Sequence, residues 1–297
     1  MKSCLILIKR NVKIFFKDKG MLISSLLTPI ILLVLYATFL ANLYHKSLVE
    51  NIPNSLKISD GVIDGMVAAQ LMSSLLAVTC ITVAFSSNFL MVQDKVNGTI
   101  KDLKTSPVKN SILSLGYYIA TLISTLIICF IAMVACLIYV YLKGWYMYFS
   151  DVAMLFLDVL ILIFFGTALS SVVNFFLTTQ GQIAAVGTTI GTGYGFICGA
   201  YMPISSFSTG LQHVIMFLPG TYGTSLVRNH SLRGVIDELG SQGMPKPFLK
   251  SMKDVLDCNL YFFDNRVSIA TMYLILILTV ALLLLVYILL NKFKRVN

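Results

Sequence analysis

Charge is scarce in this sequence. Lys, Arg, Asp and Glu supply 12% of the 297 residues and hydrophobic residues 57%, against roughly 25% and 45–50% in soluble globular domains, so a soluble fold is excluded. Residues that build reactive centres are also few or misplaced. The three histidines, His45, His213 and His230, are scattered, and neither His-Glu-x-x-His nor Cys-x-x-Cys occurs, so no metal site is expected. No Gly-x-x-x-x-Gly-Lys-Ser/Thr loop is present to cradle phosphates, which rules out ATP hydrolysis by a P-loop mechanism. Gly191, Gly193 and Gly195 lie in an apolar run with no strand before them, which excludes a dinucleotide-binding turn. Of the cysteines, Cys80, Cys129, Cys136 and Cys198 fall in apolar runs and Cys4 and Cys258 outside them, so there is no disulfide framework. Without clustered acids, histidines or nucleophiles the chain is not expected to be an enzyme, and no cofactor is expected on it.

What the sequence has in quantity is long apolar segments. Six stretches reach the roughly 20 residues that a spanning helix needs: about 21–42, 62–91, 112–142, 151–177, 183–203 and 267–291. The expected fold is an all-α integral membrane protein, one domain of six transmembrane helices. The first stretch is too long for a signal-peptide h-region and no clean cleavage site follows, so it is read as a permanent span. Basic residues alternate by loop. Residues 1–20 hold six Lys or Arg, 93–111 four and 292–297 three, whereas the opposite loops 43–61 and 143–150 hold three together. By the positive-inside rule both termini are cytoplasmic. The net charge of +9 is then a topology signal, and nucleic acid is not an expected partner.

Ahead of the first span, Leu5, Ile8, Val12, Phe15 and Phe16 form one helical stripe and Lys2, Lys9, Arg10, Lys13 and Lys17 lie on the other side. This pattern predicts a basic amphipathic helix in the headgroup layer, in contact with membrane lipids. Pro29 predicts a kink in the first span. The second span carries Gln70, Ser73, Ser74, Thr79, Thr82, Ser86, Ser87 and Asn88, a load that fits interhelical hydrogen bonding or the lining of a polar path. In the fifth span Gly187, Gly191, Gly195 and Gly199 recur every fourth residue, a groove for close packing within the chain or against a second subunit. Asp158 in the fourth span calls for a partner, either in a structural hydrogen bond or in substrate or proton handling.

Beyond the fifth span, Pro203 to Phe207 and Leu211 to Leu218 are too short to cross, and Pro219-Gly220-Thr221-Tyr222 and Leu226-Val227-Arg228 follow. Two short re-entrant helices around the Pro-Gly break are expected, including Phe217, with 230–265 a polar external loop containing some folded structure. Between the second and third spans, 93–110 is a charged segment. Gly98, the i,i+3 apolar pair Ile100 and Leu103, and the stop at Pro107 predict one or two exposed helical turns able to dock in another protein's groove.

Four pieces in order resemble the permease subunits of type-two ATP-binding-cassette exporters: Phe15-Phe16-Lys17-Asp18; Gly98-Thr99-Ile100-Lys101-Asp102-Leu103 with Ser106-Pro107-Val108; Gly199-Ala200-Tyr201-Met202-Pro203; and Leu218-Pro219 with Tyr222 and Arg228. The ending Tyr201-Met202-Pro203 is similar to the drug and antibiotic-resistance branch. The resemblance implies a coupling helix within 93–107, with Asp94, Lys95, Gly98, Thr99, Ile100, Lys101, Asp102, Leu103 and Lys104 facing a separate P-loop ATPase. It implies two such ATPases holding ATP and Mg, a second permease, identical or homologous, and a bacterial cell membrane. The second and fifth spans would face the other permease and the route of a hydrophobic or amphiphilic cargo such as a drug, antimicrobial peptide or lipid-like molecule, with the external helices as a cap. The chain departs from the family in having Gln93, Asp94 and Asn97 where many relatives carry glutamates, and in its longer external segment, which would act as a lid or recognise cargo or a partner. The rival is an ion-gradient-driven secondary carrier or channel. It would need paired midplane charges or an inverted repeat, for which Asp158 is the sole support.

Overall fold

A computed structural model of the chain describes residues 2–42, 45–46, 58–105, 108–263 and 265–293. The expected stop at Pro107 and the basic tail beyond Phe293 lie outside these. The helices, in chain order, are α1 (Lys2–Lys17), α2 (Lys19–Leu35), α3 (Asp60–Val96), α4 (Thr99–Thr105), α5 (Asn110–Lys143), α6 (Phe149–Phe176), α7 (Gln180–Thr188), α8 (Tyr194–Ile197), α9 (Thr209–Ile215), α10 (Pro219–Ser241), α11 (Lys246–Val255) and α12 (Ile269–Phe293). A small antiparallel hairpin, β1 (Leu260–Phe262) with β2 (Asn265–Val267), pairs Tyr261 with Arg266. Asp18 ends α1 and opens α2 by accepting the Met21 N–H at 3.1 Å, the usual N-cap arrangement. α2 holds Pro29 and continues through a π turn, Tyr36–Leu40.

α3 is the axis of the bundle. Its 37 residues extend for about 55 Å, and it packs against α2, α5, α6 and α10. Small residues make this possible. At Gly166 of α6 an added Cβ would lie 3.0 Å from the Cys80 carbonyl, so the two helices cross with no room for a side chain. Burial is correspondingly uneven: 94% of the most apolar window of α3 is buried, against 24% for α2 with its π turn and 11% for α12.

Among the described residues five helices are long and apolar enough to cross a membrane: α2 with its π turn (Lys19–Leu40), α3, α5, α6 and α12. The stretch expected as the fifth span, 183–203, is one helical run in three pieces. α7 passes through a π turn, Thr189–Gly193, into α8, and the run stops at Gly199 (φ 74°), four residues short of Pro203. A left-handed glycine closes the helix, and the Ala200 N–H turns back to the Gly195 carbonyl at 2.8 Å.

The external segment differs more. Two helices do flank the Pro219-Gly220 break, as expected, with α9 before it, but the one after it is not short. Pro219 occupies the first turn of α10, where its missing N–H is no loss, and the helix then runs 23 residues to Ser241, with Tyr222 and Arg228 inside it. Residues 230–265, expected as a polar loop, therefore hold the end of α10, α11 and the hairpin. Polarity misled here because the hydroxyls of α10 are buried and internally bonded: Thr224 and Ser231 donate to the carbonyls of Gly220 and Val227 at 3.1 and 2.6 Å.

Candidate functional site

The corner between α3 and α4 gathers most of the charged segment. Gly98 takes a left-handed conformation (φ 79°) between the last turn of α3 and the first of α4, with its N–H on the Lys95 carbonyl at 3.3 Å. A Cβ at this position would meet nothing within 4 Å, so the backbone and not lack of space calls for glycine. Ile100 and Leu103, expected to face a partner, are half-buried against the cluster containing Leu7, Phe15 and Met21. They attach α4 to the bundle, because their spacing puts both on the helix's rear face. The exposed face carries Lys101, Asp102 and Thr105, and Thr99 is half-buried. Lys104 belongs to α4, but its side chain lies outside the described part.

Asp94 and Lys95, grouped by sequence with the docking surface, are engaged within the chain. Arg10 of α1 forks onto Asp94 with bonds of 2.5 and 3.1 Å, and the Tyr117 hydroxyl of α5 donates to the same carboxylate at 2.5 Å. The hydrogen bond to Asp94 raises the Arg10 pKa above its ordinary value, so the guanidinium stays charged. Lys95 Nζ donates to the carbonyls of Asn174, Phe175 and Leu177 at 2.8, 2.9 and 3.1 Å, where the C-terminal end of α6 attracts a cation. The last turn of α3 is thus tied to α1, α5 and α6, while α4 hangs from it by one glycine.

α1 buries Leu7, Asn11 and Phe15, and Phe16 is half-buried. Leu5, expected on the apolar stripe, is 64% exposed. The seam is displaced because α1 lies tightly along α5: a Cβ at Gly116 would come 3.2 Å from Leu7, and Arg10 is turned towards Asp94. Lys9, Lys13 and Lys17 remain exposed.

Gln70, Ser73 and Ser74 are all buried in α3. Ser73 bonds its own helix at Gln70, 2.7 Å, and Ser74 meets Arg228 of α10 at 3.4 Å. The Gln70 amide has no hydrogen-bond partner among the described residues. Farther along, Asn88 donates to Ser170 and Ser171 of α6 at 3.1 and 3.0 Å, and Ser87 pairs with Thr125 of α5 at 3.3 Å. These bonds join helices. The glycines of α7 and α8 do not form one groove. An added Cβ would face Phe89 at Gly187 (3.4 Å), Thr28 at Gly191 (3.2 Å), the Tyr201 ring at Gly195 and Ile204 at Gly199. The π turn inserts a residue between them, so i,i+4 spacing no longer keeps them on one face.

At the far end Arg228, buried, is the centre of a second cluster. It donates to Asp257 at 2.7 Å, to the Gly199 carbonyl and to Ser74, and Asp257 accepts the Ile204 N–H through both oxygens at 3.0 and 3.2 Å. Burial pushes the Asp257 carboxyl above the usual range, and Arg228 pulls it back. Pro203 precedes the 3₁₀ turn (Ile204–Ser206), Tyr222 donates to the Met216 carbonyl at 2.5 Å, and Phe217 is 63% exposed. Burial pushes the neighbouring Cys258 thiol up to about 12, which leaves it inert. Asp158 has its partners: His230 Nδ1 at 2.6 Å and the Tyr273 hydroxyl, which donates to it. Sequence reading missed Asp257, Tyr117, His230 and Tyr273. The available signal was charge matching, since a cation amid apolar sequence needs an acid, but several acids were equally eligible.

A comparison with curated proteins gives no match. The family model described as ABC-2 type transporter matches residues 2–230, from α1 through the α3–α4 corner to just past Arg228. With most of its length inside that match, the chain belongs to the ABC-2 type transporter family, as a membrane-spanning permease subunit of an ABC transporter.

Proposed function

We propose that this permease is the route-forming half of an ATP-driven exporter in a bacterial cell membrane. Two permeases, identical or homologous, would work with two P-loop ATPases holding ATP and Mg. In this reading there are six crossings and both termini are cytoplasmic. The run 180–197 supplies the additional crossing, at about 27 Å against a hydrocarbon core of roughly 30 Å. α1 lies in the headgroup layer and α9 and α11 form a cap.

The observation that carries the reading is the attachment of α4: apolar rear face on the bundle, Lys101, Asp102 and Thr105 outward, one left-handed glycine as its joint. An ATPase seated on the outer face would move α4 on closing. Because the last turn of α3 is held by Arg10, Tyr117 and the end of α6, the displacement passes into α3 as a rod. The opposite part of α3 touches Arg228 through Ser74. Closure of the ATPases would then bias the cap between two arrangements, a population shift driven by contacts made in one state only. The cargo in this reading is hydrophobic or amphiphilic.

Gentle purification of the tagged chain from its own cells, with an ATPase assay, tests the proposal. Recovery of a P-loop ATPase that is lost on Gly98→Trp is the expected result, and a permease recovered alone without ATPase activity would refute it. One observation favours a second reading: the buried Asp158–His230–Tyr273 group would suit a proton-coupled carrier. Uptake into ATP-free vesicles driven by a pH gradient would establish that alternative.

A further inference from the structure

Between α2, α3 and α5 lies an apolar cleft of about 540 Å³. Leu22, Leu26 and Leu33 of α2 face Leu75 of α3 and Ala132 and Ala135 of α5, and Phe16 of α1 borders the end nearest α4. From Leu22 to Tyr36, which also lines the cleft, α2 rises about 21 Å, more than the roughly 15 Å of one leaflet's hydrocarbon. Two of the polar side chains on its walls are already engaged within the chain. Thr79 donates to the Leu75 carbonyl at 2.6 Å and Tyr36 to the Ala200 carbonyl at 2.7 Å. An occupant with a polar body would find few groups to bond on these largely apolar walls, whereas a hydrocarbon chain would lose nothing.

The chemistry changes at the α4 end. Lys19, Leu22, Leu26 and Leu33 follow one another at helical spacing, so a lysine heads the same face of α2 that lines the cleft. On α1, Lys13 precedes Phe16 by three residues and shares its side of the helix. Both lysines are exposed, and neither takes part in an ion pair among the described residues. The acid between them, Asp18, is occupied in capping α2. A dry slot of acyl-chain shape with two uncompensated cations at one mouth is complementary to an anionic lipid.

We propose that this cleft binds an anionic glycerophospholipid of the surrounding bilayer, one acyl chain between α2, α3 and α5 and the headgroup on Lys13 and Lys19. The bound lipid is a fixed component of the permease, distinct from its cargo. It fills space between α2 and α3 that side chains leave open, and so sets how firmly α2 sits on the central helix.

The test uses the full chain carrying Tyr139→Trp, at the far end of the cleft, in a Trp145→Phe background that removes the single native tryptophan. It is placed in lipid nanodiscs with phosphatidylglycerol or phosphatidylcholine brominated on the acyl chain. Phosphatidylglycerol is expected to quench the reporter at lower mole fraction than phosphatidylcholine. Lys13→Gln and Lys19→Gln should each reduce that preference about fivefold, and Ala132→Phe or Ala135→Leu should remove the quenching by filling the slot. Equal quenching by the two lipids overturns the proposal, as does quenching that survives both cleft-filling variants. Displacement of the bromolipid by a transported compound would assign the cleft to cargo and overturn it equally. The lysine variants lie on the exposed surface, so a folding failure of a cleft-filling variant leaves the headgroup comparison to decide.

Discussion

At the α4 end of the bundle an arginine meets an aspartate beside solvent, and at the other end the same two residue types meet in a dry interior. The Arg10 side chain is 29% exposed and that of Asp94 7%, whereas Arg228 and Asp257 are 1% and 5% exposed. The first pair holds two helices to a third through side chains alone. The second also takes in backbone, the Gly199 carbonyl and the Ile204 N–H, so it fixes where a helix ends and a turn begins. In the dry pair, loss of one partner leaves a charge with no water to receive it. In the other pair Arg10 is part-exposed, so water can receive its guanidinium when Asp94 is neutralised. The Arg10–Asp94 pair is therefore expected to contribute less to stability than the Arg228–Asp257 pair.

The largest expected effect tests the dry side. Arg228→Met leaves Asp257 buried and unpaired and should cost about 3–5 kcal/mol, read as a large fall in unfolding temperature in detergent. Arg228→Met with Asp257→Leu should restore much of it, since a buried pair can be exchanged for apolar side chains. A single variant as stable as the parent would mean that Asp257 is solvated and that the two ends do not differ. On the wet side, Asp94→Asn should cost less, about 1.5–3 kcal/mol for a charge-assisted fork reduced to neutral bonds. If it costs as much as Arg228→Met, the comparison fails.

These pairs also show what sequence makes legible. Long apolar runs located α2, α3, α5, α6 and α12 because membrane thickness sets helix length in a way that composition reports. The α3–α4 corner was legible as well, since Gly98 marks a backbone conformation rather than a contact. What was not legible depends on partners distant in sequence. Nothing local distinguishes Asp94, which faces Arg10, from Asp102, which faces solvent. The end of α10, from His230 on, read as part of a polar loop because its serines, histidine and arginine count as hydrophilic, although His230 and Ser231 are buried. The glycine stripe misled for the opposite reason. Its spacing presumes an α-helix throughout, and the π turn at Thr189–Gly193 shifts the register midway.

A smaller effect sharpens the α4 end. Gly98→Val should cost about 1–2 kcal/mol, the penalty for a left-handed L-residue, while Gly98→Asn, which tolerates that conformation, should keep most stability. Since no atom lies within 4 Å of an added Cβ, any difference in transport between the two, at equal membrane insertion, reports the joint itself. Equal transport by Gly98→Val and Gly98→Asn would show that α4 does not need a left-handed link.

The smallest effect on the chain alone is expected at Gly193, in the π turn between α7 and α8. Its φ is −78°, and an added Cβ meets nothing within 4 Å. Gly193→Leu should therefore change the stability of the isolated permease by no more than about 0.5 kcal/mol, as a surface substitution does, in contrast to Gly195→Leu, where the new side chain must displace the Tyr201 ring. The two variants separate packing inside the chain from packing between chains. α7 and the π turn after it bury none of their residues within this chain, so a second permease seated there would meet the introduced leucine side chain as an intrusion, and dimer recovery in detergent would fall while the monomer's unfolding temperature held. Unchanged dimer recovery would place that face against lipid, and the contact between permeases would then belong to another helix.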